Sequence, residues 1–177
     1  MQGLFRETQC SFIASCAVAL ACISLLLTAA VRAQAPTVVD RILVEKSKRT
    51  LTLLNGTKVV KTYKVALGRN PQGAKDRQGD HKTPEGIYSV DAKKPDSRFY
   101  KALHISYPSP GDRERAQKLG LSPGSDVEIH GLGSMWGWVG AQHRRIDWTD
   151  GCIALTNEEI DEIYPLIKIG TPVEIRP

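Results

Sequence analysis

Cysteine is scarce where a disulfide would need it. Of the four cysteines in the 177-residue chain, Cys10, Cys16 and Cys22 lie within the first 33 residues, and Cys152 alone lies beyond them. One thiol makes no internal disulfide, so that part of the chain is not a disulfide-stapled scaffold. Cys152 is then a buried inert thiol, an intermolecular bridge or a reactive group. Ligand spacing for a bound metal is also missing, and no cofactor is indicated. The glycine-rich residues 131–137 lack the spacing and the following helix of a dinucleotide fingerprint, which excludes nucleotide binding. There is no internal repeat. Nor is there a concentrated basic stretch: 24 Lys and Arg stand against 19 Asp and Glu, a formal charge of +5. Acidic residues are interleaved with basic ones, so the pattern is a solvated surface rather than a nucleic-acid face, and it would suit a polyanionic wall.

What is present begins with a leader. Arg6 precedes a long apolar stretch, residues 12–31, which ends in Val31-Arg32-Ala33. This reads as a signal peptide, residues 1–33, cut after Ala33, and so predicts a secreted or periplasmic protein. A retained membrane anchor is the alternative, since the run is about long enough to span a bilayer. A lipoprotein would need Cys16 or Cys22 at the end of the run, and both lie inside it. Loss of Arg6, Glu7 and Arg32 leaves a net charge of +4 on residues 34–177. Those 144 residues are enough for one domain with a real core.

Strand signals dominate that domain. Ile42 and Val44 alternate with polar residues, Leu51 and Leu53 follow, and Asn55-Gly56 marks a hairpin turn before Tyr63, Val65 and Leu67. Residues 68–84, with three glycines and many charges, read as a surface loop. Further strands are expected at 87–90, 102–107 and 127–130, the last ending in His130, and at Val173 and Ile175. A short helix is expected over 113–119, ended by Gly120. A second begins at the capping box Thr156-Asn157-Glu158-Glu159, carries Ile160, Ile163, Tyr164 and Ile167 on one stripe, and stops near Tyr164 because Pro165 removes a backbone donor. The expected fold is mainly β with α+β elements: a sandwich or partly open barrel with two short helices.

The chemistry concentrates in Ile129-His130-Gly131 and in residues 147–155, Asp-Trp-Thr-Asp-Gly-Cys-Ile-Ala-Leu. Glycine before the cysteine and a capped helix soon after it leave amides near the sulfur to stabilise an oxyanion. An ordinary thiol of pKa about 8.5 is only about 3% ionised at pH 7, against about 75% at a pKa of about 6.5, so attack needs a base. His130, at a strand end, is the better candidate; His143 lies in the charged run 142–145. Trp136, Trp138 and Trp148 invite a stacking role beside the catalytic turn, although core packing is the commoner role for Trp148.

With these segments the chain resembles the L,D-transpeptidase catalytic domain (YkuD) family. The resemblance runs through Ala66-Leu67-Gly68, residues 79–86 (Gly-Asp-His-Lys-Thr-Pro-Glu-Gly), residues 97–100 (Ser-Arg-Phe-Tyr), residues 104–108 (His-Ile-Ser-Tyr-Pro), Ile129-His130-Gly131 and Gly151-Cys152. It implies an L,D-transpeptidase-like fold over 34–177, with Cys152 as nucleophile, His130 as proton donor and acceptor, and Gly151 shaping the oxyanion site through its backbone. It implies a reaction with peptidoglycan stem peptides in wall biogenesis and cell shape. The thiolate attacks a diaminopimelate carbonyl, expels D-alanine and forms a thioester, which an amine resolves; a wall-attached lipoprotein is a further partner. Two positions depart from the commonest signature, Asp150 for histidine and Ala154 for Arg or Asn, in a sub-branch of DWTxGCIAL form. Arg69, Arg144 or Arg145 would then replace the usual arginine on a substrate carboxylate, with Trp148 and Asp150 also toward substrate; Asp150 orients His143 or another donor, or caps a turn. The rival readings are a thiol amidase or L,D-carboxypeptidase, in which water resolves the thioester, and a non-catalytic wall-binding module.

Overall fold

Apolar and polar residues alternate through the first strands, and burial follows them. The computed structural model describes residues 37–177; the expected signal peptide lies outside the described residues. In β1 (Arg41–Glu45), Ile42 and Val44 are buried and their neighbours are half exposed. This is the period-2 pattern of a strand with one face on the core. β1 pairs antiparallel with β2 (Thr50–Asn55), and β2 with β3 (Lys58–Lys64). The two-residue turn between β2 and β3 falls on Gly56-Thr57, one residue later than the Asn-Gly pair suggests, because Asn55 pairs with Lys58 and a register shift at Leu53/Leu54 absorbs the extra residue. Gly56 takes φ +58°, a left-handed conformation that glycine adopts without a Cβ clash.

β4 (Gly86–Ser97) joins the two halves of the sheet. Its first four residues pair with β8 (Pro172–Arg176), and its remainder pairs with β5 (Tyr100–Ile105) across register shifts at Val90/Ala92 and Lys94/Ser97. Such shifts let one strand bend from one sheet surface into the next. β5 then pairs with β6 (Glu128–His130), and β6 runs parallel to β7 (Ile153–Ala154). The result is one mixed eight-stranded sheet in the order β3-β2-β1-β8-β4-β5-β6-β7. The sheet is strongly bent, but it is not a closed barrel. Its ends meet over a short suture only, where Ala66 and Ala154 exchange backbone hydrogen bonds of 3.1 and 2.9 Å and Gly68 bridges Thr149.

Among the described residues three short helices accompany the sheet where the sequence led us to expect two. α1 (Pro110–Lys118) starts three residues early because Ser109 and Asp112 form a capping box ahead of Pro110 and Gly111. α2 (Asn157–Ile163) starts at the expected box, Thr156 with Glu159, and ends at Tyr164 before Pro165. The third, a 3-10 segment η1 (Gly137–Arg145), is kinked at Gly140 and occupies what reads as a glycine-rich turn. α2 presses Ile160 and Ile163, both fully buried, onto the core of Ile42, Leu53, Leu103, Ile129 and Ile153. Truncating one of these side chains to alanine costs about 2–5 kcal/mol.

The long loop 68–84 is a surface segment tied down from below. Lys46, 3% exposed, donates from Nζ to Gly73 O (2.6 Å), Thr83 O (2.9 Å) and Glu85 Oε1 (2.8 Å). Lys75 and Asp80 form a second buried pair, 2.7 Å apart and 5% and 8% exposed. Burial alone would raise the Asp80 carboxyl, but Lys75 and the amides of Arg77, Lys82 and Asp76 outweigh it and hold the group at about 2.

Candidate active site

Cys152 owes its place to two seams. On one side the β6–β7 pairing sets Ile129 beside Ile153 and His130 beside Ala154, so Cys152 enters the sheet beside the end of β6. On the other, Arg69 N donates to Thr149 O (2.9 Å), Thr149 N donates to Leu67 O (3.1 Å), and Leu67 N donates to Asp147 Oδ1 (3.0 Å). Arg49 holds the second Asp147 oxygen at 2.8 Å. Asp147 is therefore a fastener of the active-site segment. Gly151 is required for space: it takes φ +133°, and a Cβ there would lie 2.7 Å from Lys82 O.

The thiol sits in a cavity of about 810 Å³ lined by residues of the loop 75–81, the end of β4, residues 124–130 and 148–152. Its Sγ–H points to Asp126 O at 3.6 Å. Burial pushes the thiol up to about 11, only partly offset by a backbone hydrogen bond from Glu128. This differs from a thiol activated by a lowered pKa: with a pKa of about 11, only about one molecule in 10⁴ is a thiolate at pH 7. A low-dielectric pocket penalises the anion more than the nearby amide stabilises it.

His130 borders the same cavity and is 1% exposed. Its Nδ1–H donates to Gly131 O at 2.6 Å, which leaves Nε2 as the acceptor. The ring stacks on Phe99 (centroids 4.3 Å, planes 22° apart) and meets the Trp148 ring edge-on (6.0 Å, 72°). Burial, reinforced by Arg98, lowers its pKa against the opposing pull of Gly131 O and Glu128. Thiol and imidazole, each pushed toward its uncharged form, thus both rest neutral at the cavity, the thiol on Asp126 O and the imidazole on Gly131 O. The turn after His130 is held by Asn157, whose Oδ1 accepts from Leu132 N (2.8 Å). A Cβ on Gly131 would lie 2.7 Å from that same Oδ1.

The other residues singled out in the sequence separate into two groups. Trp148, Asp150 and Gly151 line the cavity with Cys152 and His130. The Gly151 amide, however, donates to Thr149 Oγ1 (3.1 Å), and the same hydroxyl donates to Cys152 O (2.8 Å). The Cys152 amide has no acceptor among the described residues and is the freer donor for an oxyanion. Asp150 binds Arg69 and His81, with His81 Nδ1 at 2.8 Å, and does not touch His143. Arg144 is bonded to Glu159 in the capping box of α2, and Arg145 borders a different cavity.

That second cavity, about 840 Å³ and mostly apolar, is lined by Met135, Trp136, Val139, His143 and Ile146 and shares Arg98, Phe99 and Trp148 with the first. His143 is buried within η1, contrary to its reading as part of a charged flexible run. Its Nδ1 accepts from Trp148 Nε1 at 3.3 Å, and burial, with Arg144 beside it, pushes its pKa down to about 4. Trp136 and Trp138 are exposed. Sequence reasoning assigned no role to Phe99, Arg98, Asp126 or His81, although Arg98, Phe99 and His81 stand inside the quoted motifs. Among the described residues no three His, Cys, Asp or Glu side chains come together as metal ligands.

The L,D-transpeptidase catalytic domain model, YkuD, matches residues 39–175. The chain belongs to that family. As an L,D-transpeptidase-family domain it is 36% identical over 129 residues to the protein of Escherichia coli K12 named "Putative L,D-transpeptidase YafK", a match covering 69% of this chain and 44% of YafK. Among solved structures it is similar to the helical cell shape determining protein Pgp2 (K307A mutant) of Campylobacter jejuni, with 26% identity, a TM-score of 0.59, and coverage of 78% of this chain and 47% of that one. The L,D-transpeptidase of Mycobacterium smegmatis shares the fold (TM-score 0.51, 16% identity, 77% and 58% coverage). The chain spans less than half the length of YafK and of Pgp2.

Proposed function

We propose that this chain is an exported peptidoglycan L,D-transpeptidase that works through a thioester on Cys152. The observation that carries the reading is the placement of Cys152 beside a histidine whose proton-bearing nitrogen is committed to Gly131 O, so that Nε2 is ready to take a proton. In the first half-reaction, Sγ bonds to the carbonyl carbon of a stem-peptide diaminopimelate while its proton passes to His130 Nε2. The oxyanion is met by the Cys152 amide. The C–N bond then breaks, His130 returns the proton to the departing D-alanine amine, and a thioester remains. In the second half-reaction an amine displaces the sulfur, either from another stem peptide, giving a 3-3 crosslink, or from a wall-attached lipoprotein. Export follows from the expected leader at 1–33.

Starting from neutral partners fits this sequence. A buried thiolate would carry a large desolvation cost at rest, whereas transfer during attack forms the charge only as the new bond neutralises it. Hydrolysis is the second reading, favoured by the exposure of Asp150 (75%) and His81 (42%) at the cavity, which admits water to the thioester. It would make the chain an amidase or L,D-carboxypeptidase, including one that releases a wall-linked protein.

Intact-mass analysis of the protein incubated with tetrapeptide muropeptides, beside a Cys152→Ala control, tests both. An adduct on the wild type only, with 3-3 dimers among the products, is the expected result. An adduct with shortened monomers only would favour hydrolysis, and no adduct would leave a wall-binding module with an inert thiol.

A further inference from the structure

The cavity holds a second histidine for which the acylation step has no use. His81 lies in the loop 68–84, and its neighbour Lys82 presses a carbonyl onto Gly151, where a Cβ would come within 2.7 Å. On its other side His81 O lies where a Cβ of Gly68 would be, 2.3 Å away, and accepts from Asn70 N at 3.0 Å. These contacts hold His81 at φ +56°, a conformation that few non-glycine residues adopt. Strain of this kind persists only where the surroundings impose it, and it gathers at functional positions.

The ring is oriented as firmly as the backbone. His81 Nδ1 lies 2.8 Å from Asp150 Oδ1, and Asp150 is also bonded by Arg69. Arg69 Nη2 also reaches the same ring nitrogen, but at 3.4 Å that contact is much longer than the 2.8 Å one to Asp150. Nδ1 therefore carries the proton and donates it to Asp150, so Nε2 is a lone-pair acceptor backed by an ionised carboxylate. A carboxylate behind an imidazole fixes its tautomer and stabilises the imidazolium when it forms. Arg69 and His81 together keep Asp150 ionised, its pKa held below the ordinary carboxylate value.

We propose that His81, positioned by Asp150, is the general base of the second half-reaction, while His130 serves the first. The proposal rests on the thioester reading above. His130 lies against Phe99, 1% exposed, and lines the same cavity as the thiol whose proton it takes in the first half-reaction. The acceptor must instead arrive from solvent after the first product leaves, and His81 is a half-exposed base at the cavity it enters. As the acceptor nitrogen, or a water oxygen, bonds to the thioester carbon, its proton passes to His81 Nε2. The C–S bond breaks as the leaving Cys152 sulfur takes a proton from solvent, and His81 then returns to solvent the proton it accepted.

The test uses the full chain and follows thioester formation and breakdown separately by quenched intact mass. The donor is a diaminopimelate tetrapeptide, and a diaminopimelate tripeptide is the added amine. His81→Asn keeps a residue that tolerates positive φ and can still bond Asp150, but it removes the base. We expect breakdown to slow by about 10²-fold, the thioester to become the main species at steady state, and added imidazole to restore breakdown in part. Asp150→Asn, at an exposed position, should slow breakdown in the same direction by about tenfold, and it decides the matter if His81→Asn melts early. Equal slowing of both halves, or of neither, would overturn the assignment of His81. A wild type that never forms a thioester would overturn the acyl-transfer reading itself.

Discussion

Two histidines border the cavity of Cys152, and their surroundings are opposite. His130 is buried at the end of a strand, stacked on Phe99 and braced by Trp148, and its fixed proton goes to a backbone carbonyl. His81 is half-exposed on a loop, and its fixed proton goes to a carboxylate. The first arrangement keeps imidazole neutral and dry; the second fixes its tautomer through a carboxylate and leaves it open to solvent. A buried neutral base suits proton transfer from a neutral, partly buried thiol, and an exposed carboxylate-backed base suits whatever arrives from outside. One cavity thus offers two environments of different polarity around a single sulfur, which is what a reaction with two successive partners requires.

Removing groups from the buried neighbourhood should have the largest effects. Cys152→Ala abolishes the thioester, and His130→Ala should slow its formation by about 10²–10⁴-fold in a quenched time course. The same time courses across pH sharpen the comparison. Because the His130 pKa is lowered and the thiol is raised to about 11, the rate of thioester formation should rise through an acid limb below pH 6.5. It should then stay level into the alkaline range; a fall near pH 8–9 would instead indicate a preformed thiolate–imidazolium pair.

The support beneath the exposed neighbourhood should show in stability. Asp80→Asn leaves Lys75 buried without its counter-charge and should cost about 3–5 kcal/mol in chemical denaturation. In the wild type the folded-state pKa of Asp80, about 2, lies below its ordinary 3.8. Its contribution, about 2 kcal/mol, is therefore present above pH 4 and lost as pH falls toward 2. Melts at pH 5 and pH 2.5 check the sign.

Smaller effects test what braces His130 and what lies outside the site. Trp148→Phe deletes the N–H that His143 accepts and frees the ring against His130, so thioester formation should fall by about tenfold with little change in melting temperature. Arg144→Gln breaks only a partly exposed pair with Glu159 and should change stability by about 1 kcal/mol or less and activity by under about twofold. A large loss of activity would return Arg144 to the substrate site.

Much of this was legible in the chain itself. The strands of the first hairpins, the capping box at Thr156 and the stop before Pro165 rest on local rules, and the structure follows them to within a residue or so. The site motifs were legible as well, because they are short and contiguous. The third helix was hidden because glycines at 131, 133, 137 and 140 read as a turn, although Gly137–Arg145 winds as a kinked 3-10 segment that buries His143. The role of Asp150 was hidden for a different reason. Its partners Arg69 and His81 are 81 and 69 residues away, and no local pattern ties them to it.

By itself, then, the sequence determined the strand-rich fold class, the single thiol of residues 37–177 and the family motifs around it, since periodicity, turn chemistry and residue identity are properties of short stretches. Only the tertiary structure decided the protonation of that thiol and which histidine and arginine sit beside Asp150. Burial, dielectric surroundings and the meeting of distant loops exist only once the chain has closed on itself.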